Sequence, residues 1–109
     1  MRMMLVGAGA VGESIVKVMQ WRDPKGEWLE YVLVCDYDKA RAQEVVDKLS
    51  GDTRFEAEKV NATDREDMKN LIKAHKIDFV MDAAPPFASN MIFDAAFATG
   101  VNYGSMGTW

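Results

Sequence analysis

Residues 7–12 read Gly-Ala-Gly-Ala-Val-Gly, the G-x-G-x-x-G spacing that brings a backbone close to phosphates. The chemistry offered is binding. Gly7 permits a tight turn out of the preceding apolar run, Met3-Met4-Leu5-Val6. Gly9 has no Cβ to hold a pyrophosphate away, and Gly12 lets the following helix pack closely. The first-turn N–H groups, from Ala10 and Val11 onward, and the positive end of the helix dipole then face the phosphates. Asp36 lies 24 residues beyond Gly12, at the end of the next apolar run, where the motif expects an acid about 20 residues on. A carboxylate there accepts hydrogen bonds from ribose hydroxyls and repels a 2′-phosphate, which favours NAD over NADP. Asp38 is better placed than Asp36 to cap the next helix. Lys39 and Arg41 follow just downstream and could meet a 2′-phosphate, so NADP stays open.

Two more corners belong to the same chemistry. Asn61-Ala62-Thr63 ends a third strand-like run, beside the expected adenine position. There Asn61 could bond the base or equally serve the loop. Ala83-Ala84-Pro85-Pro86-Phe87 ends a fourth run, across the switch point from the glycines. Small residues there leave room for the nicotinamide-side ribose, while a rigid turn without a ligand is the competing reading. With Tyr37 beside Asp36, the candidate cofactor-binding set is Gly7, Gly9, Ala10, Val11, Gly12, Asp36, Tyr37, Asn61, Ala62, Ala84 and Pro85. No catalytic residue is assigned. His75 is the single histidine and suits a helix C-terminus. Cys35 sits within an apolar run and reads as an inert core thiol. Asp78 and Asp82 flank the fourth run without a partner in a recognisable pattern, and no metal motif is present.

These groups must be positioned by a regular alternation. Strands are predicted at 3–6, 31–35, around 55–60, 77–81 and from 101. Helices are predicted at 10–21, from the Asp38 cap to about Leu49, after a Thr63-x-x-Glu66 capping box, and at 88–99. The first helix carries Val11, Ile15, Val18 and Met19 as its stripe. The second carries Ala42, Val45, Val46 and Leu49, and the third Met68, Leu71, Ile72 and His75. Residues 22–29, with Pro24 and Gly26, read as a surface loop. Five strands alternating with four helices give an α/β, doubly wound parallel sheet of expected order 3-2-1-4-5. The fourth helix is apolar nearly all round, through Met91, Ile92, Phe93, Ala95, Ala96, Phe97 and Ala98. A surface helix needs one stripe, so 88–99 is expected to pack under a further domain or a second copy of the chain.

The 109 residues make one domain, 49% hydrophobic and 28% charged, too short for separate cofactor and substrate domains. Thirteen Lys and Arg against seventeen Asp and Glu leave a net charge of −4, which argues against a nucleic-acid or anionic-membrane partner. One cysteine excludes an internal disulfide and makes a reducing cytoplasm the expected compartment.

Taken in order, several segments resemble the amino-terminal, NAD(P)-binding domain of the saccharopine dehydrogenase (saccharopine reductase) family. They are Gly7–Gly12, Cys35-Asp36-Tyr37-Asp38-Lys39-Ala40, Val60-Asn61-Ala62-Thr63-Asp64, Ala83-Ala84-Pro85-Pro86-Phe87 and Gly100-Val101-Asn102-Tyr103. The Ala-Pro-Pro-Phe stretch is the more family-specific part. The resemblance implies NAD(P)-dependent chemistry on amino acids, with hydride passing between nicotinamide and a C–N bond. It carries cofactor binding onto Gly7, Gly9, Gly12 and Asp36 and carries over no catalytic residue. Members run to several hundred residues with a substrate domain, so the 1–109 chain is expected to be the cofactor half of a longer oxidoreductase. Alone it is expected to be inactive, its amino-acid substrate held by the missing domain. A complete, non-enzymatic nucleotide-sensing domain, of the kind that gates potassium transporters, is the alternative.

Overall fold

Apolar runs that alternate between two helical layers build the sheet. The computed structural model describes residues 1–106; residues 107–109, the end of the stretch read as one domain, lie outside the described residues. The strands are β1 (Arg2–Val6), β2 (Tyr31–Asp36), β3 (Phe55–Lys59), β4 (Phe79–Asp82) and β5 (Asn102–Ser105). The helices are α1 (Ala10–Arg22), α2 (Lys39–Asp47), α3 (Arg65–Ala74) and α4 (Ser89–Thr99), the last preceded by a single 3-10 turn at Pro86–Ala88. All pairings are parallel, in the order β3-β2-β1-β4-β5. This is the expected doubly wound order.

Residues of β1 divide the core between the two faces, as the two-residue period of a strand requires. Met3 and Leu5 join Val16 of α1 and Ala42 and Val45 of α2 on one side. Met4 and Val6 join Met68 and Ile72 of α3 and Ile92, Ala95 and Ala96 of α4 on the other. Central strands covered on both faces need continuous apolar runs, and Met3 to Val6 and Tyr31 to Cys35 are buried throughout. Each such Leu, Ile or Met contributes about 1.5–3 kcal/mol by leaving water. β3, at an edge, instead alternates Phe55 and Ala57 with Glu56 and Glu58.

Three expectations need correction. The stripe of α1 runs through Gly12 and Val16, with Ile15 and Met19 half-buried, while Val11 and Val18 are exposed. Gly12 is the contact point of the helix, and that contact sets its rotation. The N-cap of α3 is Asp64, not Thr63: the Asp64 carboxylate accepts from the N–H groups of Glu66 and Asp67 at 3.0 and 3.2 Å. β4 begins two residues later than expected and ends on Asp82, because its pairing with β1 runs from Met3↔Phe79 to Val6↔Asp82. The 22–29 stretch is the expected surface loop, exposed over most of its length, and it is organised around one buried group. The Asp23 carboxylate, 2% exposed, accepts from the N–H groups of Glu27, Trp28 and Leu29 at 2.7–2.9 Å. These bonds lower its pKa against the opposing effect of burial.

Candidate functional site

The C-terminal ends of β1, β2, β3 and β4 meet at a cleft of about 880 Å³, where strand order reverses on either side of β1. Openings of this kind at a switch point are where doubly wound sheets hold ligands. Of the sequence candidates, Gly7, Gly9, Val11, Asp36, Tyr37, Asn61, Ala62, Ala84 and Pro85 line it. Ala10 and Gly12 do not. Ala10 is exposed on the first turn of α1, and Gly12 is buried behind the loop.

The three glycines have separate physical reasons. Gly7 adopts φ +106°, and a Cβ there would lie 2.6 Å from the Ala83 carbonyl oxygen. The loop is therefore pressed against the end of β4 as well as turned. A Cβ on Gly12 would collide with the Gly7 carbonyl oxygen, so what the third glycine accommodates first is the loop backbone. Gly9 is different: an added Cβ would meet no atom within 4 Å, and its φ of −74° is open to any residue. Nothing inside the protein requires glycine at position 9. The N-terminus of α1 also has no side-chain cap, which leaves its first-turn N–H groups to an external acceptor. Backbone, space and dipole thus fit a pyrophosphate.

At the neighbouring corner, Asp36 Oδ2 accepts the Ala8 N–H at 2.8 Å and Oδ1 accepts the Asp38 N–H at 2.9 Å. Capping of α2 falls to Asp38, whose carboxylate accepts from the Ala40 N–H at 3.0 Å. Tyr37 is 70% exposed, with Lys59 Nζ 5.3 Å from its ring centre. Asn61 spends its amide oxygen on the N–H and hydroxyl of Thr63, at 3.0 and 2.6 Å. Its amide nitrogen is left as the group that can face a ligand.

Sequence reasoning missed several walls of the cleft, among them Thr63, Phe87 and Met106. Phe87 is 79% exposed; an aromatic left uncovered after Pro85-Pro86 was the available signal. Asp82, which the sequence shows only as an acid without a recognisable partner, has two partners in the fold. This carboxylate is fully buried beneath the 83–87 loop, accepting from the Ala84 N–H at 3.0 Å and the Tyr103 hydroxyl at 2.7 Å. Burial and the bond to Asp82 push the Tyr103 pKa up. An acid closing a buried strand must find partners, but the sequence does not name them.

His75 and Cys35 lie outside the cleft lining. His75 ends α3, stacks on Tyr31 with ring centres 5.9 Å apart, and places Nδ1 3.0 Å from the Tyr31 hydroxyl. Cys35 is fully buried, and burial pushes its thiol pKa up. Among the described residues no cluster of His, Cys, Asp or Glu could hold a metal. Among the described residues the cleft wall carries two titratable side chains, Asp36 and Tyr37, and no acid–base pair.

A family model described as the saccharopine dehydrogenase NADP binding domain matches residues 3–106. The chain belongs to this family. It is accordingly a NAD(P)-binding domain of the saccharopine-dehydrogenase-like oxidoreductases, and the regulatory-module alternative is not favoured. Among relatives, it is 28% identical to carboxynorspermidine synthase of Vibrio cholerae, over 94% of this chain and 26% of that protein. Its fold resembles saccharopine dehydrogenase (L-Glu forming) of Saccharomyces cerevisiae, with TM-score 0.78 and 15% identity, over 99% of this chain and 22% of that one. It also resembles the UDP-glucose 4-epimerase of Thermus thermophilus solved with NAD, with TM-score 0.67 and 18% identity, over 93% of this chain and 35% of that one. The chain thus spans about a quarter of the length of the first two. Among the described residues no helix is long and apolar enough to cross a membrane.

Proposed function

We propose that this domain binds NAD in the switch-point cleft and serves as the cofactor half of an oxidoreductase acting on the C–N bond of an amino-acid substrate. The observation that carries the binding site is Gly9. Its glycine identity answers no demand of the fold, while it stands at an uncapped helix N-terminus on a cleft wall. Such a position is what close approach of a pyrophosphate requires. Ala10, Val11 and Gly12 supply the first-turn N–H groups. Asp36 accepts from the adenosine ribose, with Tyr37 beside it. Asn61 and Ala62 border the base, and Ala84 and Pro85 border the nicotinamide-side ribose. When bound, the nicotinamide supplies hydride chemistry; the chain's own residues hold, orient and select it.

The C–N chemistry is supported by the family match and by the carboxynorspermidine synthase that is 28% identical over 94% of this chain. Substrate would be held by a further domain, and the compartment would be the cytoplasm. The test is Gly9→Val. Because a Cβ is free there, the variant should keep its melting temperature yet lose NAD binding by calorimetry. Gly12→Ala should instead unfold or melt early, through the clash with the Gly7 carbonyl. A folded Gly9→Val chain with unchanged NAD affinity would refute the site.

A further inference from the structure

Immediately after the glycine loop, in the first turn of α1, Glu13 gathers three cations. Its Oε2 accepts from Lys17 Nζ at 2.6 Å, and its Oε1 from Arg41 Nη2 at 2.9 Å and Lys48 Nζ at 3.3 Å. Hydrogen bonds from Lys17, then Arg41 and Lys48, hold its carboxyl at about 2, so it is ionised across the neutral range. Arg41 spends its other terminal nitrogen on Glu44, at 2.7 Å. Both ends of the guanidinium fork are therefore taken up inside the protein.

The placement of Arg41 gives this network its meaning. It lies in the first turn of α2, five residues beyond Asp36 and next to the adenosine corner. Of the other nearby cations, Lys39 stands 3.8 Å from Glu58, and Lys59, the register partner of Asp36, lies over the Tyr37 ring with Nζ 5.3 Å from its centre. No Lys or Arg lines the cleft among the described residues. A 2′-phosphate brings a second charge that calls for a guanidinium fork, the geometry best matched to phosphate.

We propose that Glu13 is a specificity-determining residue, holding Arg41 on α1 and so withholding from the adenosine corner the guanidinium fork best matched to a 2′-phosphate. This rests on the dinucleotide reading above. Two carboxylates then act on one choice, Asp36 by facing the phosphate and Glu13 by occupying its natural partner. The family model carries the NADP description, and in this chain the arginine suited to that cofactor is present but engaged.

The experiment measures dissociation constants for NAD and NADP by calorimetry on the 109-residue chain. The variants are wild type, Glu13→Gln, Arg41→Gln and the double variant, each checked for folding by circular dichroism. Glu13→Gln should shift the affinity ratio toward NADP by about tenfold, the order of one charge-assisted hydrogen bond. The double variant should return the ratio to the wild-type value. Glu13→Ala, which places the best helix former at the position, repeats the test if the amide variant fails to fold. An unmoved ratio in a folded Glu13 variant, or a shift that survives loss of Arg41, overturns the proposal while the site stands. A wild-type chain that binds neither dinucleotide overturns both.

Discussion

Before any ligand arrives, the Asp36 carboxylate already joins β2 to the glycine loop through the Ala8 N–H and shapes the approach to α2 through the Asp38 N–H. Each carboxylate oxygen accepts more than one hydrogen bond, so these tethers leave capacity for ribose hydroxyls. The tethers also fix the side chain in place, so ordering it costs little on binding. Asp36→Ala should therefore act twice. It should lower the melting temperature by removing the tether, and it should weaken NAD while relieving the repulsion of a 2′-phosphate. Bonds to a charged group contribute about 1.5–3 kcal/mol, so the NAD-to-NADP affinity ratio should fall about tenfold or more. Titration of the folded variant with both dinucleotides checks this; an unchanged ratio would leave Asp36 a loop tether alone. The position of Asp36 was legible from its spacing to Gly12. The tether was not, because it depends on a long-range approach of loop to strand that no local pattern encodes. The same holds for Gly7, whose turn is local but whose contact with Ala83 is not.

At the scale of elements, the start of α3 shows how neighbouring signals compete. Thr63-Asp64-Arg65-Glu66 satisfies the capping-box pattern, yet the helix starts one residue later. The Thr63 hydroxyl donates to Asn61 Oδ1 at 2.6 Å and completes the turn after β3, while Asp64 takes the two first-turn N–H groups. Aspartate outranks threonine as a cap, and its charge suits the helix dipole. Asp64→Ala should thus cost about 1 kcal/mol of stability, whereas Thr63→Ala removes only one exposed turn bond and should cost less. Urea denaturation of the two variants separates these roles, and a larger loss at Thr63 would restore the box. Number, type and order of elements were legible because each buried strand is a continuous apolar run and each helix has a stripe at helical spacing. Edges were less so, because β4 and β5 end where their pairings with β1 and with each other end. Asp82 exemplifies this: it lies in the core only because β4 extends to meet Val6.

Both helical layers of the molecule carry uncovered apolar side chains. α1 buries Gly12 and Val16 and leaves Val11, Val18 and Trp21 exposed, while α4 buries Ile92, Ala95 and Ala96 and leaves Met91, Phe93 and Phe97 exposed. Phe97 is 77% exposed, and Phe93 stacks between it and Tyr103. Phe87 and Met106 add exposed apolar side chains on the cleft wall, at the end that the proposed function assigns to the nicotinamide. Hydride transfer needs a substrate at near-attack distance and a group positioned to move a proton. Among the described residues the cleft offers no such group on that side: Asp36 is tied to the Ala8 and Asp38 N–H groups, Asp82 is bonded to Ala84 and Tyr103, and the wall around Ala83–Phe87 carries no titratable side chain. The 109-residue chain should therefore bind NAD without oxidising saccharopine or related amino acids. Its exposed aromatic face should also draw copies together, an association that Phe97→Ser would weaken in sedimentation. The decisive measurement pairs calorimetry with a spectrophotometric assay on one sample. Binding without reduction of NAD is the expected result, and sustained turnover by the chain alone would place the missing proton-transfer group within this domain.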